Sequence, residues 1–446
     1  MENTDVLKIK GGMPLNGEVA VYGAKNAISK ILVAALLTDQ ECVLRNVSYV
    51  VDTELMMSVL TSLGAEVEDD RANRTIRVTA KNIHGMEDAK FHEVVGKSRV
   101  PILLCGPLLA RMGEAVIPAL GGCVIGDRPV DFHIAALRKL GAEVKEKSDG
   151  IYFKAKNLAG CQIRLDYPSV GATEQVLLSA VFAQGTTELS NAAVEPEIQD
   201  LVSVLNQMGA NIVFSGERTY IVHGVQKLNG FDHYAISDRL EAASWACAAA
   251  ATGGNIFVRN ANSEHLRAFL EKFEEAGGEF AIKDDGIGFW RGKELAPVRI
   301  ETGVYPGFAT DWQQPFAVLL TQSRGESIVH ETVYENRFGY TAALNQMGAN
   351  IELIEECRGT LCRFNQLYLH SAIIHGPTAL HAEQIEVPDL RGGFSYVIAA
   401  LIAKGVTEIS NVKLLKRGYE NFVEKITCLG AEIVDDLPLP PATMDL

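Results

Sequence analysis

The chain has 446 residues, of which 47% are hydrophobic and 22% charged. That composition excludes wholesale disorder and a fibrous architecture and, at roughly 100 to 200 residues per domain, implies two or three compact units. The 41 lysines and arginines against 56 aspartates and glutamates give a net charge of −15, which excludes a broad phosphate-backbone footprint and with it a nucleic-acid partner; an anionic ligand has to be caught by a local basic site.

Met1 to Lys10 carries acid where a secretory leader carries base, and the best apolar run, Ile31 to Leu37, stops at Thr38-Asp-Gln-Glu41. No stretch is long and apolar enough to span a bilayer, so a cytoplasmic protein with no membrane partner is expected. That run opens a series of helices apolar on all sides, at Ile28 to Leu37, Val176 to Phe182 and Tyr396 to Ile402. Such helices are buried all round. A turn and a β-rich run come next in the repeating order, as in Gly185-Thr-Thr-Glu-Leu-Ser190, Gly254-Asn-Ile-Phe-Val-Arg259, Gly325-Glu-Ser-Ile-Val-His330 and Gly405-Val-Thr-Glu-Ile-Ser410.

An amphipathic helix then ends in an apolar residue, a glycine, a small residue, a polar residue and an apolar one. The copies are Leu63-Gly-Ala-Glu-Val67, Leu140-Gly-Ala-Glu-Val144, Met208-Gly-Ala-Asn-Ile212, Ala276-Gly-Gly-Glu-Phe280, Met347-Gly-Ala-Asn-Ile351 and Leu429-Gly-Ala-Glu-Ile433. Their glycines are spaced by 77, 68, 68, 71 and 82 residues. Glycine just past a helix takes the left-handed conformation without steric cost, and the apolar residue after it starts a strand. In the third copy Ile198, Leu201, Val202, Leu205 and Met208 fall on one helical face. The chain is therefore expected to be six α/β units of about 70 residues, grouped most economically as two domains of three, with the changeover near Gly224 to Ser237. The Leu437-Pro-Leu-Pro-Pro441 tail is expected to be disordered.

Charged residues stand at or near the heads of the buried helices: Lys25, Arg99, Glu174, Arg239 beside Asp238, Asp311 and Arg391. Cations at helix N-termini are unfavourable unless an anion sits there, so the set marks candidate anion sites; the bland alternative is solvated caps or structural salt bridges such as Asp238 with Arg239. Gly121-Gly-Cys-Val-Ile-Gly-Asp-Arg-Pro-Val-Asp131-Phe-His133 reads as a mobile loop with a thiol near its tip. Arg128 favours the Cys123 thiolate while Asp127 and Asp131 oppose it, which favours a protonated donor over a standing nucleophile. The other cysteines, Cys42, Cys105, Cys161, Cys247, Cys357, Cys362 and Cys428, lack metal-ligand spacing and are expected as buried free thiols. Cys357 and Cys362 suggest a metal or redox pair, against which nothing nearby in the sequence completes a ligand set.

Eight segments in order, Tyr22-Gly-Ala-Lys-Asn-Ala27, Gly121 to Asp131, Pro168-Ser-Val-Gly-Ala-Thr-Glu174, Glu195-Pro-Glu-Ile198, Tyr305-Pro-Gly-Phe-Ala-Thr-Asp311, Glu335-Asn-Arg-Phe338, Asp389-Leu-Arg391 and Arg417-Gly-Tyr-Glu420, resemble the motifs of the enolpyruvyl (carboxyvinyl) transferase family, in the group whose acceptor is UDP-N-acetylglucosamine. The resemblance runs from about residue 8 to 435. It implies an α/β fold of two inside-out α/β barrels, residues 22–236 and residues 1–21 plus 237–446, with the active site in the cleft between them. It implies transfer of the enolpyruvyl group of phosphoenolpyruvate to the sugar 3-hydroxyl with release of phosphate, the first committed step of peptidoglycan synthesis, without cofactor or metal.

The resemblance places Lys25, Arg128, Arg337, Arg391 and Arg417 around the donor's phosphate and carboxylate, Cys123 as general acid, Asp311 as the carboxylate near the sugar hydroxyl and Asn26 at the tetrahedral intermediate. It assigns nucleotide-sugar contacts to Arg99, to the backbone of Arg128, Pro129, Val130, Asp131 and Phe132, to the turn Ser169, Val170 and Gly171, to Asp311 and to Val333. Departures are Asp127 for a small neutral residue, Gln175 for asparagine, Lys30 for an apolar residue or proline, and extra residues around Cys357 to His375. These leave open a paralogue using another nucleotide acceptor such as UMP. The shikimate branch opens its first motif with Gly-Ser-Lys-Ser and lacks the cysteine loop. An RNA 3′-phosphate cyclase needs a nucleotidylated histidine and a basic path, and a non-catalytic nucleotide-sugar sensor leaves Cys123, Asp311 and the five cations without a role.

Overall fold

The computed structural model describes residues 5–84, 86, 89–95, 98–118, 130–361, 363–364 and 367–434. The Cys123 loop with Asp127, Arg128 and Pro129, Cys362, and the Leu437 to Pro441 tail lie outside the described residues.

The repeated glycine does what its sequence context requires. Gly64, Gly141, Gly209, Gly277, Gly348 and Gly430 have φ between +85° and +102°. The helices before them, Val51–Ser62, Asp131–Lys139, Pro196–Gln207, Arg267–Glu275, Thr341–Gln346 and Phe422–Cys428, each end two residues short of the glycine. At the first copy Ala65 N–H bonds Leu60 O and Gly64 N–H bonds Thr61 O, the paired bonds that close a helix through a left-handed residue.

Each unit contributes one sheet, five of four strands and one of three among the described residues. Segments outside the local hairpins complete several of them. Val6–Lys10 inserts antiparallel between Val406–Ser410 and Glu432–Ile433, so the N-terminus closes the sixth unit. Asn16–Ala20 runs parallel to Asn255–Arg259 in the fourth, and Asp232–Tyr234 runs parallel to Cys42–Arg45 in the first.

Six helical segments lie inside these sheets, and their apolar surface forms two separate cores. One core contains buried residues from Ala24 to Ala235; the other joins Leu7 to Val21 with Leu240 to Ala431. In the second core Arg239–Thr252, Gln313–Leu320 and Gly393–Ile402 pack against one another. Residues 239–251 and 313–320 are buried without interruption, so no stripe of either helix faces solvent. Helices inside and sheets outside make each half an inside-out α/β barrel.

Candidate active site

Lys25 and Arg391, cations at helix heads, converge where the two cores meet, and the anions that neutralise them belong to the chain itself. Lys25, the first residue of Lys25–Ala34, places Nζ 2.9 Å from Oδ2 of Asp52, and Arg417 Nε donates to Asp52 Oδ1 at 2.8 Å. Asp52 is 2% exposed and lies in the first turn of Val51–Ser62. Burial by itself would raise its pKa, but Lys25 and Arg417 together hold it below the ordinary carboxylate value. Burial also pulls Lys25 below the ordinary lysine value, reinforced by Arg391 and opposed by Asp52.

Asp238 is the second hub. Its Oδ1 caps Arg239–Thr252 by accepting from Leu240 N and Glu241 N, and its Oδ2 accepts from Lys25 N at 3.2 Å and Arg391 Nη2 at 2.8 Å. Burial opposes its ionisation, yet Arg391 and these donors keep its pKa depressed. Arg391 also donates to Gly418 O, and its own N–H is held by Asp389 Oδ1. Arg337 pairs with Asp311, and Gln314, oriented to satisfy both its amide atoms, accepts from the same guanidinium. Lys25, Arg337, Arg391 and Arg417 are thus fixed by Asp52, Asp238 and Asp311, so the site is a lattice of paired charges rather than a patch of bare cations.

The turn from Ser169 to Gly171 is equally built. Ser169 Oγ caps Val170–Ala180 by accepting from Ala172 N. A Cβ added at Gly171 would lie 2.9 Å from His133 Nε2, so only glycine permits this approach. Arg99 immediately precedes the short turn Val100–Leu104. Asp131 begins Asp131–Lys139, and Val130, Phe132 and Val170 pack on the first core. Glu331 Oε1 accepts from Val333 N and Tyr334 N. Asn26 is half-buried in the first turn of Lys25–Ala34.

Several expectations change. Arg239 pairs with Glu197 at 3.0 Å, not with Asp238, whose carboxylate faces Arg391 and the helix N-terminus. Glu174 lies inside Val170–Ala180 rather than at its head, because Ser169 starts the helix earlier. The two departures beside it answer to packing: Lys30 Nζ is 3.8 Å from Glu174, and Gln175 reaches Ile102 O, Gly106 N and Ser179 Oγ. Burial raises Glu174 to about 7, with Glu195 and Glu197 adding to the shift and Lys30 opposing it. An acid raised in the folded state loses stability relative to the unfolded chain as pH climbs from 4.5 to about 7, and no further above that. Glu174→Gln is expected to flatten this part of the stability curve, as read from denaturant midpoints between pH 5 and 8.

Cys42, Cys105 and Cys247 are free and buried as expected, but Cys161 is half-buried and Cys428 exposed, because each lies near the outer surface of its unit, and Cys357 is disulfide-bonded rather than free. The sequence showed no ligand set near it; pairing of Gly325–His330 with Ser371–Gly376 brings His330 and His370 beside it, with ligand atoms within 4.8 Å. A sulfur in a disulfide is no thiolate ligand. Sequence reasoning missed Asp52, Glu331 and the pairing of Arg74 with Glu420. The one available signal for Asp52 was an acid in the first turn of an amphipathic helix.

Fold and site together define a two-domain α/β enzyme with a network of paired charges where its two cores meet. The EPSP synthase (3-phosphoshikimate 1-carboxyvinyltransferase) family model matches residues 9–426. The chain is 47% identical to the UDP-N-acetylglucosamine 1-carboxyvinyltransferase of Protochlamydia amoebophila, over 96% of this chain and 94% of that protein. It is 46% identical to that of Chlamydia abortus, over 96% and 97%, and 40% identical to UDP-N-acetylglucosamine 1-carboxyvinyltransferase 1 of Staphylococcus epidermidis, over 96% and 99%. The crystal structure of the enolpyruvyl transferase NikO from Streptomyces tendae superposes with a TM-score of 0.85 at 24% identity, over 96% of this chain and 98% of that one. EPSP synthase from Acinetobacter baumannii gives 0.72 at 17%, over 96% and 99%. The chain belongs to the EPSP synthase family, within the group of UDP-N-acetylglucosamine 1-carboxyvinyltransferases. No helix among the described residues is long and apolar enough to cross a membrane.

Proposed function

We propose that this chain transfers the enolpyruvyl group of phosphoenolpyruvate to the 3-hydroxyl of UDP-N-acetylglucosamine, releasing phosphate, in the first committed step of peptidoglycan synthesis. The observation that carries the reading is the shared network of Lys25, Arg391 and Arg417 on Asp52 and Asp238, in a chain 47% identical to a relative of that name. On this reading residues 22–236 form one domain and residues 1–21 plus 237–446 the other; the two separate cores support that division. The compartment on this reading is the cytoplasm.

The sugar oxygen attacks C2 of the donor, its proton passing to the Asp311 carboxylate, while the Cys123 thiol delivers a proton to C3. The resulting tetrahedral adduct then loses phosphate from C2, protonated from Asp311, while the Cys123 thiolate takes a proton back from C3, leaving the enol ether. Lys25, Arg128, Arg337, Arg391 and Arg417 surround the donor's charges, and Asn26 steadies the adduct. Lys25, Arg391 and Arg417, already locked by the buried Asp52 and Asp238, stabilise developing charge without reorganising. Arg99, residues 128–132, Ser169 to Gly171 and Val333 hold the nucleotide sugar.

Phosphate release from phosphoenolpyruvate is expected with UDP-N-acetylglucosamine and not with UMP, and Cys123→Ala is expected to lower it by about 100-fold or more at neutral pH. Equal release by the variant and the parent, or release with UMP alone, would sink the reading.

A further inference from the structure

The extra residues of the fifth unit leave the hairpin at Ile354 and return at Ser371, which pair directly. This excursion is pinned at its root. Thr360 N and Leu361 N donate to the Glu301 carboxylate at 2.7 and 3.1 Å, and Arg299 Nη2 donates to Arg358 O. Phe364 is buried and packs edge-on to His370. Between these anchors, Arg363 crosses to the opposite wall of the cleft. Its Cζ lies 3.6 Å from the centroid of the Tyr167 ring, and its Nη1 donates to Thr332 O at 3.3 Å and Val333 O at 3.2 Å.

Val333 belongs to the nucleotide-sugar site proposed above, and Tyr167 adjoins it. Tyr167 precedes Ser169 by two residues, and its carbonyl accepts from Ser169 N at 2.6 Å; Val333 is the contact on the facing wall. Stacking uses the face of a guanidinium and leaves its N–H edge available. Arg363 forms no ion pair with a carboxylate among the described residues, and its two acceptors are neutral carbonyls. Glu331, two residues before Val333, accepts from Thr310 Oγ1, Gln313 Nε2, Val333 N and Tyr334 N. A guanidinium with no carboxylate at salt-bridge distance among the described residues is therefore held against Tyr167, close in sequence to the N-terminus of Val170–Ala180, where a nucleotide's phosphates are favoured.

We infer that Arg363, supplied by the extension rather than by any of the six repeats, binds the diphosphate of the nucleotide-sugar acceptor and sets the preference for diphosphate over uncharged nucleoside. The inference rests on the acceptor reading given above. The test is calorimetric binding of UDP and of uridine to the full chain, with Arg363→Met and Arg363→Lys, each variant first checked by thermal melting. Arg363→Met is expected to weaken UDP binding by about 10- to 100-fold and uridine by less than about 2-fold; Arg363→Lys recovers part of the loss. Unchanged UDP binding would overturn the inference, as would equal losses for UDP and uridine, which would make Arg363 a packing partner of Tyr167 only. Phosphate release by the parent chain with UDP-N-acetylglucosamine tests the acceptor reading separately: its absence removes that reading, while the ratio of UDP to uridine losses still decides the role of Arg363.

Discussion

Asp52→Asn is expected to lower kcat/KM for phosphoenolpyruvate by about 100-fold, the order of loss that follows a misplacement of reacting groups by ~1 Å. The amide keeps the volume but not the charge that holds Lys25 and Arg417 from two sides. The two cations belong to different cores, so Asp52 positions both and ties the halves together. A pH profile separates this from a purely structural effect. Lys25 is already below the ordinary lysine value, and Asp52 is the largest influence pushing it back up. Without that carboxylate Lys25 falls further, and the alkaline limb of kcat/KM moves to lower pH. Steady-state phosphate release across pH 6 to 10 reads both effects; a uniform loss with the limb in place would remove Asp52 from the positioning of Lys25.

The largest stability effect is expected at Asp238. Asp238→Ala leaves the buried Arg391 without its partner, Lys25 N without its acceptor and Arg239–Thr252 without its cap. Breaking a buried pair from one side costs about 3–5 kcal/mol, and the lost cap adds about 1 kcal/mol. Guanidinium unfolding at pH 7 measures the sum. The acid limb supplies the sign. Asp238 and Asp52 both titrate below their ordinary value of 3.8 in the folded chain. Their contribution is fully present above that pH and is lost as pH falls through the depressed folded values. The variant is therefore expected to lose less stability than the parent below about pH 4, and a parallel acid limb would count against the assignment.

The six-unit architecture was legible because its signals are local. A glycine two residues past a helix, followed by a strand, needs only the steric freedom of φ near +100°, and it recurs six times. Helices apolar on every side announce their own burial in the same way, as Gly393–Ile402 does. The paired charges were legible only in part. Lys25, Arg391 and Arg417 stood out by type and by family motif, but their partners did not. Asp52 and Arg417 are 365 residues apart, and no local pattern joins them. The neighbour Asp238 looked like the partner of Arg239 because adjacency in sequence was the only distance available; in the fold, successive side chains at a helix start diverge, one to Arg391 and the other to Glu197.

The extension shows the same division. Its length and its position in the fifth unit followed from the repeat spacing, whereas the meeting of Arg363 with Tyr167 depends on two walls brought together from separate cores. The sequence by itself determined the repeat, the burial of the inner helices, the family and the residue types that anionic substrates require. Only the tertiary structure decided which carboxylate fixes which cation and which side chains cross the cleft, because a buried charge takes the partner that packing brings within about 3 Å, and packing is not a property of neighbouring residues in the chain.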